Sequence, residues 1–186
     1  MTTGKKNKDL LIEIKMNEEI NARLDGSLLT LKGPKGETNR KFDDKIIKIE
    51  HKDGSIILKA PKFSKMNKKR IKSYAAHIRN MARGCMEPYK YTLKICSGHF
   101  PMNVSVSNVQ FTVKNFLGEK VPRTLKLKAG ARVKVEGNLV VVESSSKEIA
   151  GQVSADIEQL TRRTGYDGRI FQDGIWIIEK DEKGME

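Results

Sequence analysis

The chain is poor in the residues from which catalytic and metal centres are built. It has two cysteines, Cys85 and Cys96, and three histidines, His51, His77 and His99. None of them falls at zinc-ligand spacing, and two cysteines make no disulfide framework, which points to a reducing, cytoplasmic setting. Gly33-Pro34-Lys35-Gly36 and Gly118-Glu119-Lys120 each lack the rest of a phosphate-cradling P-loop, and no Gly-x-Ser-x-Gly elbow is present. Carboxylate pairs such as Asp43-Asp44 and Glu18-Glu19 read as loop solvation. An enzyme is therefore not expected, nor a metal, a cofactor or a small-molecule substrate. No apolar run nears the ~20 residues of a membrane span, no signal-peptide core follows the polar, basic start, and no helix is both basic and strongly hydrophobic, so a membrane partner is not expected. Aromatics are scarce, at 6%. Trp176 and Phe171 fall within apolar alternation and read as packing residues, which argues against a base-stacking sheet and for recognition by shape and phosphate.

What the chain does have is positive charge: +13 over 186 residues, with a pI near 9.7. That is the electrostatic footprint of a nucleic-acid-binding protein. Residues 1–86 carry 21 Lys and Arg against 10 Asp and Glu; residues 87–186 carry 15 against 13. Two stretches contain no acid at all, Lys59–Lys72 with seven basic residues and Lys120–Lys134 with six. Between 88 and 134 the only acid is Glu119.

The chain also repeats itself. Leu29-Thr30-Leu31-Lys32 followed by Gly36-Glu37 is echoed by Phe111-Thr112-Val113-Lys114 followed by Gly118-Glu119, and Ile47-Lys48-Ile49-Glu50 by Val133-Lys134-Val135-Glu136. Each copy runs on into a strand and an amphipathic helix. The expected fold is α+β: a tandem duplication, 1–86 and 87–186, of a small domain whose antiparallel-rich β-sheet packs against one helix. In the first copy Ile71, Tyr74, Ala75, Ile78, Met81, Ala82 and Cys85 make a helical stripe, with Gly84 placed to end it and His77 facing solvent. In the second, Ser145 and Glu148 read as a capping box ahead of Ile149, Val153, Ile157 and Leu160. Arg169–Ile178, turning on Asp173-Gly174, reads as a closing hairpin.

Three blocks carry a family resemblance. They are Leu31–Gly36; Tyr91–Arg123, with Ser97-Gly98-His99-Phe100-Pro101-Met102 and Asn115-Phe116-Leu117-Gly118-Glu119-Lys120-Val121-Pro122-Arg123; and Ala155–Arg162 followed by Arg169–Gly174. In this order they resemble the large-subunit ribosomal protein L-six family, its archaeal and eukaryotic branch and most of all the archaeal form, over roughly residues 9–180. Arg163, Gly168 and Trp176 depart from the family's usual residues. The resemblance implies a non-catalytic constituent of the large ribosomal subunit that binds rRNA near the sarcin–ricin loop and the base of the factor-recruiting stalk. Its partners would be large-subunit rRNA and neighbouring ribosomal proteins, stalk-base proteins included. On that reading Lys62, Lys65, Lys68, Lys69 and Lys72 grip phosphates in the first domain. Lys120, Arg123, Lys126, Lys128, Arg162, Arg163 and Arg169 do so in the second, and His99 bonds backbone or RNA. The Gly33–Gly36 and Asn115–Lys120 turns would bring backbone N–H groups to the RNA. The alternative is a basic protein-interaction module that docks stalk proteins or translation factors.

Overall fold

The computed structural model describes residues 9–180 except 53, 62, 63 and 108. The chain divides into two compact units, Met1–Pro88 and Tyr89–Glu186. In the first unit, strands β1 (Leu10–Lys15), β2 (Asn21–Asp25), β3 (Leu28–Gly33), β4 (Gly36–Lys41), β5 (Lys48–Lys52) and β6 (Ser55–Ala60) precede helix α1 (Lys65–Met86). They form two antiparallel sheets, ordered β1-β6-β5 and β2-β3-β4. The second unit runs β7 (Tyr89–Cys96), β8 (Asn103–Ser107), β9 (Gln110–Lys114), a 3-10 turn at Phe116–Gly118, β10 (Arg123–Lys126), β11 (Ala131–Glu136), β12 (Leu139–Ser144), α2 (Lys147–Leu160) and β13 (Gly174–Glu179). Its sheets are β11-β12-β7-β13 and β10-β9-β8. Strand for strand the two units share one topology, and β13 is an addition on the free edge of β7.

Alternation along the strands is what builds both cores. Leu29 and Leu31 on β3, and Ile56, Leu58 and Ala60 on β6, are fully buried against Ile71, Ala75, Ile78, Met81 and Cys85 of α1. In the second unit Phe111 and Val113 of β9 and Val140 and Val142 of β12 meet Ala150, Val153 and Ile157 of α2. The repeated tetrapeptides thus supply equivalent core positions. The echo fails only after them. Gly33 pairs with Gly36 across a tight β3–β4 turn, whereas Gly118 and Glu119 sit in a longer β9–β10 connection with Asn115 and Leu117 at positive φ.

Local expectations are corrected at four places. Helix α1 does not end at Gly84; it runs to Met86, because Cys85 is buried with its Sγ 3.2 Å from Thr38 Oγ1 and 3.3 Å from the Leu31 carbonyl it donates to. Ser146, not Ser145, caps α2, accepting from the Ile149 N–H. His77 is half-buried, its ring against the Arg40 guanidinium with Nη1 3.1 Å from Nδ1, and burial together with that cation lowers its pKa. The closing hairpin does not form, since Gly174–Glu179 pairs with β7 instead and leaves 169–173 outside any strand.

Candidate nucleic-acid interface

Helix α1 begins in an unusual electrostatic state. Ser64 caps it conventionally, its hydroxyl accepting from Asn67 N–H at 3.0 Å. Its first turn nevertheless holds no acid, while Lys65 and Lys68 are exposed there and Lys69 and Lys72 follow in the second turn. A helix N-terminus carries roughly half a positive charge, so cations there cost stability, and the same field adds to theirs in drawing an anion. Lys65, Lys69 and Lys72 make no ion pair among the described residues. Lys62 lies outside the described residues.

In the second unit the candidate cations separate into two groups. Arg123 and Arg163 converge on Glu119: Arg123 donates Nε–H and Nη2–H to its two carboxylate oxygens, both at 2.8 Å, and Arg163 Nη2 bonds the Oε1 oxygen. Arg123 Nη1 also donates to the Leu160 carbonyl, at 2.7 Å, which ties the end of α2 to β10. Both guanidinium groups lie over the Phe116 ring, at 4.4 and 5.5 Å from its centroid. The hydrogen bond from Arg123, followed by that from Arg163, lowers the Glu119 pKa to about 2. This pair therefore forms an internal brace, and its donor edges are turned toward protein. The Asn115–Lys120 connection is held by the same brace.

Lys120, Lys126, Lys128, Arg162 and Arg169 are exposed. Lys128 pairs with Asp156 at 3.5 Å and Arg169 bonds Asp167, so each keeps a carboxylate beside it. Lys120, Lys126 and Arg162 have no side-chain partner among the described residues. The Gly33–Gly36 turn serves α1 instead of open surface: Lys35 N–H donates to the Cys85 carbonyl at 3.1 Å, and a Cβ on Gly33 would lie 2.8 Å from that carbonyl oxygen.

His99 belongs to a second internal cluster. Its Nδ1–H donates to Asp173 Oδ2 at 2.6 Å, and its ring stacks on Phe171 at 4.8 Å. Phe171 meets Tyr166 edge-on at 5.1 Å, and the Tyr166 hydroxyl accepts from Arg163 at 2.9 Å. Beside these rings opens a cleft of about 410 Å³ that also takes in Cys96, Arg162, Gln172 and Trp176. The expectation that Trp176 packs is overturned, for it is 42% exposed. Alternation carried the missed signal: with Ile175 buried on β13, its neighbour must face the other way. The Asp173-Gly174 dipeptide marks a turn but not the bond to His99, 74 residues away, and Tyr166, whose partners Arg163 and Phe171 lie near it in the chain, carries no motif of its own. Among the described residues no group of His, Cys, Asp and Glu is placed to hold a metal ion, and no helix is long and apolar enough to cross a membrane.

Comparison with known proteins follows the same pattern of two copies. The family model described as Ribosomal protein L6 matches residues 18–87 and again 100–174. The chain is similar to the large ribosomal subunit protein uL6 of Methanosarcina mazei, with 39% identity over 93% of this chain and 98% of that protein. It is 38% identical to uL6 of Sulfurisphaera tokodaii, over 94% of each chain. With uL6 of Methanobrevibacter smithii the identity is 38%, over 91% of this chain and 95% of the relative.

Proposed function

The chain belongs to the ribosomal protein L6 family, which is not a family of enzymes, and from that premise we propose that it works as a structural constituent of the large ribosomal subunit, gripping rRNA phosphates through both of its units. We place its site near the sarcin–ricin loop and the base of the stalk, next to stalk-base proteins, on the strength of the motif resemblance in Tyr91–Arg123 and Ala155–Gly174. One observation supports phosphate binding above the others. Lys65, Lys69 and Lys72 on α1, and Lys120, Lys126 and Arg162 in the second unit, are exposed cations that no described carboxylate neutralises. In water such a set is kept apart by its own repulsion; on a polyanion each cation displaces a condensed counterion, which makes binding favourable and salt-dependent.

Arg123 and Arg163 have a different task in this reading. They hold the β9–β10 connection against the end of α2, so that Lys120 and Arg162, the neighbours of Glu119 and Arg163 in the chain, stand on a rigid base. Lys68, Lys128 and Arg169 take part as secondary contacts, since carboxylates already flank the last two.

Filter binding of the whole chain to deproteinised large-subunit rRNA across a salt series tests the proposal. The logarithm of the affinity should fall linearly with the logarithm of salt concentration. An affinity indifferent to salt sinks it and favours the protein-docking alternative.

A further inference from the structure

The cleft in the second unit is built in a way that phosphate binding does not explain. Trp176 stands on its wall, 42% exposed, yet the indole is fixed: Nε1–H donates to the Gln172 carbonyl at 3.0 Å. The ring also lies over Gly174, where a Cβ would come within 3.3 Å of Nε1 and 3.4 Å of Cε2. No other ring and no cation stacks on it among the described residues. Tyr166, 49% exposed, is locked in a different way, its hydroxyl accepting from Arg163 and its ring already engaged by that guanidinium and by the edge of Phe171. The cleft thus has a braced side at Tyr166 and an open, immobilised aromatic face at Trp176.

A large ring held rigid in water gains nothing for the fold from its exposed face. It is, however, already ordered for a planar ligand, which then loses no side-chain entropy on stacking. At about 410 Å³ the cleft falls in the roughly 300–1,000 Å³ range of sites for single small-molecule-sized groups. That is room for one flipped base. Arg162 lines the same cleft with its guanidinium unpartnered, in contrast to Arg163 beside it. Gln172 adds a side-chain amide, donor and acceptor together, suited to the edge of a base.

We propose that this cleft seats one unpaired base of the bound rRNA, stacked on Trp176, with Arg162 on the adjoining phosphate. The inference rests on the rRNA reading above and deepens it, because it adds a base-contacting site to a surface otherwise read as phosphate-binding. Single-stranded RNA is recognised in this manner, by unstacked bases laid on aromatic platforms beside a cation.

Trp176 is the chain's only tryptophan, so its emission reports on the site directly. The full chain is titrated with deproteinised large-subunit rRNA and, separately, with a fully paired RNA duplex. The rRNA should quench the emission strongly and the duplex should not. Trp176→Ala should weaken rRNA binding about tenfold, within the range expected for one stacked base, and leave the salt dependence unchanged. Trp176→Phe should restore most of the loss, which separates stacking from a folding defect. Arg162→Ala should weaken binding and also reduce the salt slope by roughly one contact. Full affinity in Trp176→Ala, with unquenched emission in the saturated wild-type complex, overturns the base seat and leaves the rRNA reading standing. Quenching that survives nuclease and needs added ribosomal proteins assigns the cleft to a protein segment, which also overturns it. A wild-type chain whose rRNA affinity ignores salt removes the premise itself.

Discussion

Asp173 closes the loop that carries His99 by accepting three hydrogen bonds on one carboxylate. Oδ2 takes the ring Nδ1–H at 2.6 Å, and Oδ1 takes the backbone N–H groups of Gly98 and His99 at 2.7 and 3.0 Å. A carboxylate only accepts, so the hydrogen is on Nδ1 of His99. The turn signal Asp173-Gly174 is therefore used, but to anchor a distant loop and not to join two adjacent strands.

That anchor makes the second unit sensitive to acid. Burial raises the Asp173 pKa, but the bonds from the His99 backbone, the His99 ring and the Gly98 backbone outweigh it, and the net value lies below 3.8. Its stabilisation is complete above about pH 4 and is lost as pH falls through the lower folded-state value. Asp173→Ala should cost about 2 kcal/mol at neutral pH by leaving two backbone donors without their acceptor, as read by urea unfolding of the whole chain.

Glu119 contributes a second acid-labile element. Its pKa of about 2, against 4.5 in a free side chain, means stability that is present above pH 4.5 and disappears between there and about 2. Glu119→Gln should lower stability at neutral pH by about 1–3 kcal/mol and flatten the acid limb of a pH–stability profile. A variant whose acid limb matches the wild type shows that the two arginines do not depend on this carboxylate.

The division among the arginines gives a paired test. Arg123→Ala should lower the unfolding midpoint, since it releases Glu119, the Leu160 carbonyl and the face of Phe116 together. Arg162→Ala should leave the unfolding free energy within about 0.5 kcal/mol of wild type while weakening rRNA binding. Equal effects of the two on stability contradict the division.

Helix α1 should behave in the opposite sense to an ordinary helix. Replacing Lys65 with Glu should raise stability by a few tenths to about 1 kcal/mol, because the charge then complements the N-terminal dipole. The same change should weaken rRNA binding and lower its salt slope, measured in one filter-binding series. Parallel losses of stability and binding argue against a functional origin for this lysine.

Gly33 is a packing residue. Gly33→Ala places a Cβ 2.8 Å from the Cβ of Cys85 and 2.8 Å from its carbonyl oxygen, a backbone atom held in α1, and should destabilise the first unit by about 1–3 kcal/mol. Thermal unfolding of the variant measures it.

The repeat and the helical stripes were legible in the sequence because each depends on local periodicity. Leu29, Leu31, Phe111 and Val113 alternate with polar neighbours, and Ile71, Ala75, Ile78 and Cys85 recur on one helical face. Strand β2 is only faintly marked in the sequence, because Ala22 and Leu24 alone are apolar in Asn21–Asp25, and both are only half-buried. The roles of Arg123 and Arg163 were not legible. Glu119 stands 44 residues from Arg163, and charge counting treats every arginine alike; that Glu119 is the lone acid between 88 and 134 was the one available clue.

By itself, then, the sequence determined the family, the duplicated α+β plan and the excess of cations, since these follow from residue identity and short-range spacing. Only the tertiary structure decided which cations stay available to a partner and which brace the protein. A guanidinium's capacity to bind depends on the carboxylates, carbonyls and rings brought within about 3–5 Å of it, and in the second unit those arrive from the β9–β10 connection, the end of α2 and the loop that follows it.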